Sequence, residues 1–213
     1  MSQLRITEIF HSLQGESTLT GLPTVFVRLT GCPLRCVYCD TEYAFNGGSK
    51  HTLDNIIDEI SSYNCSRVCV TGGEPLAQPE CLELLERLCD AGFEVSLETS
   101  GAMDVAAVDN RVIKVMDYKT PASGEMEKNR YENFYFMDSK DQVKFVICDR
   151  NDYDWARMKI AELAMTEKAQ VLISPSHQQV APADLAQWIL DDGLDVRMQI
   201  QLHKVLWGEK QGV

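Results

Sequence analysis

The chain has 213 residues, a formal net charge of −12, 45% apolar residues and 24% charged ones. That length buries one sizeable core, and the balance of apolar and charged residues is that of an ordinary globular protein. No run of about eighteen apolar residues exists to cross a bilayer. An acidic chain without a basic run is not expected to bind DNA or RNA through phosphates, so a small molecule is the expected partner.

In chain order, "MSQLRITEIFHSLQGES" lacks the basic start and apolar block of a secretory signal. The cytoplasm, where thiols stay reduced, is the expected compartment. Residues 24–30, "TVFVRLT", read as the first strand. Residues 52–63 read as a helix with Leu53, Ile56, Ile57 and Ile60 on one face. A strand over 66–72 and a helix over 78–92 follow, with Pro79 suited to the helix start and Gly92 to its end. Further strands are expected at 93–99, 111–118, 142–148, 169–175 and 195–203, with helices at 153–166 and 182–192. No linker or repeat divides the chain, so residues 1–213 are expected to form a single domain. Strands alternating with helices at this spacing imply βαβ units. The fold class is therefore α/β, a partial, open TIM-like barrel of six to seven mostly parallel strands.

In such sheets chemistry gathers beyond the C-terminal ends of the strands. The segments that follow successive strands here include "GCPLRCVYCDT", "GGEP", "SG", "KTPASG" and "SPS", so the polar, glycine-rich and cysteine-rich pieces fall on one edge. Cys32, Cys36 and Cys39 are spaced C-x3-C-x2-C in the first of these. Three thiolates can each hold one iron of a cubic [4Fe–4S] cluster and leave the fourth iron open, as a catalytic metal site requires. The competing reading is a closed zinc site borrowing Cys65, Cys69 or His51. Cys69 falls mid-strand and His51 opens a helix in this reading, so neither is well placed. Cys69, Cys81, Cys89 and Cys148 read as small core residues.

The C-x3-C-x2-C loop after the first barrel strand, with Tyr38 before the last cysteine, resembles the radical S-adenosylmethionine (SAM) enzymes. That resemblance implies a [4Fe–4S] cluster on Cys32, Cys36 and Cys39, SAM chelated to the open iron, and a 5′-deoxyadenosyl radical that takes hydrogen from the substrate. "TGGEP" resembles the GGE motif of these enzymes, which implies that Gly72, Gly73 and Glu74 hold SAM. Glycines allow close backbone approach, and the Glu74 carboxylate suits an ammonium.

"ITEIFHSLQGEST", "CDTEYAF", "LETSG", "DYKTPASGE" and "LHKVLWG" resemble, more narrowly, the 7-carboxy-7-deazaguanine synthases, over nearly the whole chain. These rearrange 6-carboxy-5,6,7,8-tetrahydropterin with loss of ammonia, on the way to queuosine. The resemblance implies substrate contacts from Leu13, Gln14, Gly15, Glu16, Arg28, Thr99 and His203. It also implies Mg2+ on the Thr41 hydroxyl, and SAM contacts from Gly101, Ser139, Lys140, Asp141, Ser174, Pro175, Ser176 and His177. The stretch "SKDQVKF" offers Lys140 and Lys144 alike for the SAM lysine. An external one-electron reductant of the flavodoxin type and a homodimer are implied partners, with no direct nucleic-acid or membrane contact. The alternatives are a glycyl-radical-enzyme activase, which acts on a polypeptide, and an iron–sulfur or zinc module without catalysis.

Overall fold

The computed structural model describes residues 2–213. Among them, nine strands form one sheet in the order β3-β1-β2-β4-β5-β6-β7-β8-β9. The strands are β1 (Gln3–Leu13), β2 (Pro23–Leu29), β3 (Ser49–Thr52), β4 (Arg67–Gly72), β5 (Glu94–Thr99), β6 (Ile113–Asp117), β7 (Gln142–Ile147), β8 (Gln170–Pro175) and β9 (Arg197–Met198). From β2 through β9 every adjacent pair is parallel, whereas β1 runs antiparallel to both β2 and β3. The helices are α1 (Leu53–Ser61), α2 (Cys81–Asp90), α3 (Arg150–Glu162), α4 (Pro182–Asp191) and α5 (Leu202–Trp207). The result is the expected open, mostly parallel α/β sheet, extended by an antiparallel pair at one margin.

The helices pack where their apolar stripes dictate. Leu53, Ile56 and Ile60 of α1, and Cys81, Leu84, Leu85 and Leu88 of α2, are buried in one cluster with Val25, Val27, Val68, Val70, Val95 and Leu97 of the strands. Thr52 caps α1 by accepting a hydrogen bond from the Asn55 amide, and Asp149 caps α3 by accepting one from Asp152. α2 starts later than its periodicity predicts. Gln78 is diverted to β1, where its amide group pairs with both the N–H (2.8 Å) and the C=O (3.0 Å) of Arg5.

Three expectations about elements are corrected. β1, the longest strand, was not foreseen: it has no helix on its hairpin side, and its polar residues interrupt the alternation. His51, expected to open a helix, lies in β3 at the sheet margin. The strand expected over 195–203 shrinks to two paired residues. Beyond Met198 the side chains of Gln199 and Gln201 turn to other loops, and the chain coils into α5. Of the presumed core cysteines, Cys69 and Cys81 are fully buried, while Cys89 and Cys148 are partly exposed.

Candidate active site

Cys32, Cys36 and Cys39 lie in the loop after β2, all three half-buried. This loop is braced from outside by the segment after β6. The Arg35 amide donates to Glu125 (2.5 Å), the Val37 amide to the Ser123 carbonyl (3.0 Å) and the Lys128 ammonium to the Pro33 carbonyl (3.1 Å). The Arg35 guanidinium also donates to the carbonyls of Cys32 and Leu34. Burial pushes the Cys36 thiol up to about 11, against the opposing effect of the nearby Lys119 charge. Such thiols give up their protons when a metal binds them. The donor set, three thiols on one short loop with an ammonium beside them, fits a [4Fe–4S] cluster that takes one thiolate on each of three irons.

The loop after β4 is locked to the cysteine loop. The Glu74 amide donates to the Gly31 carbonyl at 2.8 Å, and a Cβ on Gly73 would come within 1.9 Å of the same oxygen. Gly73 is thus glycine because two backbones touch there. The Glu74 carboxylate is fully buried. It accepts from the Leu76 amide, the Thr99 hydroxyl, and the amide and hydroxyl of Ser100. The side chains of Glu74 and Thr99, expected to contact SAM and substrate, join the loops after β4 and β5.

Gly101, in the left-handed region at φ 73°, follows β5 and packs on Tyr118. Ser174 and Pro175 end β8, and Ser176 follows with its amide on the Ile147 carbonyl (2.8 Å), on the same edge as the cysteines. His177 is exposed beside Glu209. The buried Ser174 Oγ, Tyr38 OH and Asp117 Oδ1 have no hydrogen-bond partner among the described residues. Unpartnered buried polar atoms from three elements on this edge suit a ligand as rich in donors and acceptors as SAM.

Ser139, Lys140 and Asp141 are not brought to this site. They precede β7 and lie at the opposite, N-terminal edge, where the buried Asp141 binds Lys114 Nζ (2.8 Å) and accepts from the amides of Lys114 and Asp138. Their spacing matched the motif, but strand polarity sends them to the wrong end. Lys144, the other lysine of that stretch, points from mid-β7 to the inner face. Its ammonium contacts Glu16 directly and Asp117 at 3.6 Å. Burial opposes its charge, but Glu16, Asp117 and Glu98 hold its pKa well above the ordinary lysine value.

Leu13 closes the β1–β2 hairpin opposite Pro23. The loop after it then folds into the inner face. The Gln14 amide group reaches Glu98 (3.4 Å), the Ser17 amide donates to Gln199 (2.8 Å), and Thr18 and Gln142 exchange two hydrogen bonds. Gly15 packs against His203, whose Nδ1 would lie 2.1 Å from a Cβ there, and its carbonyl accepts from the Leu202 amide (3.0 Å). The loop and the C-terminal segment therefore interlock. Burial holds the His203 imidazole below its ordinary pKa despite the nearby carboxylates of Glu16 and Asp40.

Arg28 is an ion pair, but an inward one: Nε donates to Glu8 at 2.7 Å with the arginine side chain only 14% exposed. Its other two nitrogens have no hydrogen-bond partner among the described residues. Thr41 Oγ1 makes only a 3.8 Å contact to Cys39 Sγ and caps no backbone amide, so this oxygen is available to a hard cation. Sequence reasoning did not single out Glu8, Asp40, Tyr43, Glu98, Asp117 or Lys119, whose charged and polar groups cluster around Arg28, Lys144 and the cysteine loop. The one signal was a charged residue within an otherwise apolar strand, as in "QVKFVI" and "EVSLET".

The Radical SAM superfamily model matches residues 26–119, which include the three cysteines and the GGEP loop. The chain resembles QueE from Escherichia coli in its crystal structure, with a TM-score of 0.78 over 94% of this chain and 95% of that one, at 22% identity. It is also similar to Streptococcus suis SuiB bound to S-adenosylmethionine, with a TM-score of 0.57 over 80% of this chain and 45% of that one, at 12% identity. Fold and site thus define a radical SAM enzyme that uses a [4Fe–4S] cluster and SAM. The 7-carboxy-7-deazaguanine synthase of Koribacter versatilis is 44% identical over 99% of this chain and 100% of its own length. That of Chlorobaculum tepidum is 44% identical over 96% and 94%. The chain belongs to the family of 7-carboxy-7-deazaguanine synthases.

Proposed function

We propose that the chain converts 6-carboxy-5,6,7,8-tetrahydropterin to 7-carboxy-7-deazaguanine, with ammonia as the only other product. The reading is carried by the end-to-end similarity to two synthases, each 44% identical. When bound, the cluster and SAM supply one electron and a carbon radical able to remove a hydrogen atom from the substrate.

The chain's own residues bind, orient and shield. Cys32, Cys36 and Cys39 hold the cluster. The backbone of Gly72–Gly73 and Gly101, with the Ser174–Ser176 turn, holds SAM. The two free nitrogens of Arg28 take the substrate carboxylate in a forked pair. The Thr41 hydroxyl supplies one oxygen to Mg2+, which keeps its remaining positions for water and substrate. Gln14, Gly15 and Glu16, interlocked with His203, close the open side of the barrel and exclude water. A flavodoxin-type reductant, a homodimeric state and a cytoplasmic setting belong to the same reading. The experiment is anaerobic incubation of the iron-reconstituted protein with SAM, reductant and the carboxytetrahydropterin. Appearance of the deazaguanine supports the proposal; SAM cleavage with the pterin left unchanged overturns it.

A further inference from the structure

Six carboxylates face the inner surface or its rim, and five are matched. Glu8 holds Arg28 (2.7 Å), Glu16 holds Lys144, Asp117 holds Lys119 (3.1 Å), Asp40 accepts from Gln201 (3.2 Å) near Lys204, and Glu74 is saturated by Thr99 and Ser100. Glu98 is the exception. Among the described residues no lysine or arginine nitrogen lies within 4.0 Å of it, and each of its oxygens receives one long hydrogen bond from a neutral group. These are Gln14 Nε2 at 3.4 Å and Thr71 Oγ1 at 3.3 Å. Both lie at the outer limit of hydrogen bonding. A half-buried carboxylate so weakly matched retains most of its capacity to accept.

We propose that Glu98 recognises the aminopyrimidine edge of the substrate, taking the ring N–H and the exocyclic amine in two parallel hydrogen bonds. The assignment rests on the pterin reading above and extends it to specificity. A pterin presents two adjacent donors on that edge, and a carboxylate is the side chain that accepts both at once. The carboxylate of the same substrate lies at the far end of the ring system, where Arg28 has its free nitrogens. Arg28 lies on β2 and Glu98 on β5, with β4 between them. Two strand spacings set their backbones about 10 Å apart, with both side chains on the inner face. Gln14, bonded to Glu98, brings the loop of the β1–β2 hairpin to the same edge.

The test compares the pterin with its 2-oxo counterpart, 6-carboxytetrahydrolumazine, which turns a carbonyl oxygen toward Glu98 in place of the amine. With the reconstituted wild-type enzyme, KM for the 2-oxo compound is expected to be about 10- to 100-fold above that for the pterin. Glu98→Gln should raise the pterin KM by a similar factor and bring the ratio of the two close to one, because an amide offers one donor and one acceptor. Iron content per chain reports whether the variant has folded and loaded. Glu98→Ala, which removes both acceptors, should likewise bring the ratio close to one and gives the same readout if Glu98→Gln fails to load iron. A wild-type preference that survives unchanged in both iron-loaded variants overturns the assignment. A wild-type enzyme that converts neither compound overturns the pterin reading itself.

Discussion

The Thr99 hydroxyl lies 2.9 and 3.0 Å from the two carboxylate oxygens of Glu74, tying the loop after β5 to the loop after β4. Since the Glu74 amide is bonded to Gly31, the tie continues into the cysteine loop. Three loops on the edge proposed to hold SAM are therefore tied to one another. Glu74→Ala should leave several buried donors unsatisfied and cost about 2–4 kcal/mol. It should also weaken SAM binding about 10- to 100-fold by misplacing the backbone around it. Urea denaturation and a SAM-binding titration measure both; unchanged SAM affinity would show that the tie is structural only.

Cys36→Ala removes one of three iron ligands and should abolish cluster loading. Iron content per chain and 5′-deoxyadenosine release are the readouts. An iron-replete variant that still cleaves SAM sinks the assignment of the loop.

Arg28→Ala should raise the pterin KM about 10- to 100-fold while iron content holds. Arg28→Lys should recover little of this, because an ammonium cannot make the forked pair once Glu8 has taken its share. Equal KM values in wild type and Arg28→Ala would remove Arg28 from the site.

Lys144 and Glu16 are joined across the inner face with side chains only 11% and 10% exposed. Lys144→Met should cost about 3–5 kcal/mol, because Glu16 is left as a buried charge without a cation, whereas Asp117 keeps Lys119. Adding Glu16→Gln should recover part of that loss. A double-mutant cycle in urea tests the coupling, and purely additive costs would show that the pair does not hold the loop in place.

His203 should make stability fall on the acid side. Burial lowers its pKa in the folded chain, so below the unfolded value of about 6.5 the unfolded chain binds the proton more readily. This contribution is present above the unfolded pKa and is lost as pH falls through the folded one. His203→Gln should flatten the decline in urea midpoint between about pH 7 and pH 5; parallel curves for the two proteins would contradict it.

Much of the architecture was legible because βαβ units announce themselves through local periodicity. The strands at 24–30, 66–72, 93–99, 142–148 and 169–175 were placed within a residue or so at either end. Ser139–Asp141 show the limit of motif matching: the triplet has suitable residue types, yet it precedes β7 and so lies at the wrong edge. β1 and the collapse of the last strand into α5 were not legible, because each depends on partners distant in sequence. β1 gains its order from β2 and β3, and the turn after Met198 from Ser17, Gly15 and Asp40.

The sequence by itself determined the thiol loop, the open iron position and the side of the sheet where chemistry collects. Those follow from residue type, spacing and the direction of parallel strands, all of which are local. Only the tertiary structure decided which charges meet. Glu74 is consumed by Thr99 and Ser100 and Lys144 by Glu16, while Glu98 is left with two long hydrogen bonds and no cation within 4.0 Å among the described residues. A carboxylate's role depends on what lies within about 4 Å of it, and here those neighbours come from strands and loops tens of residues apart in the chain.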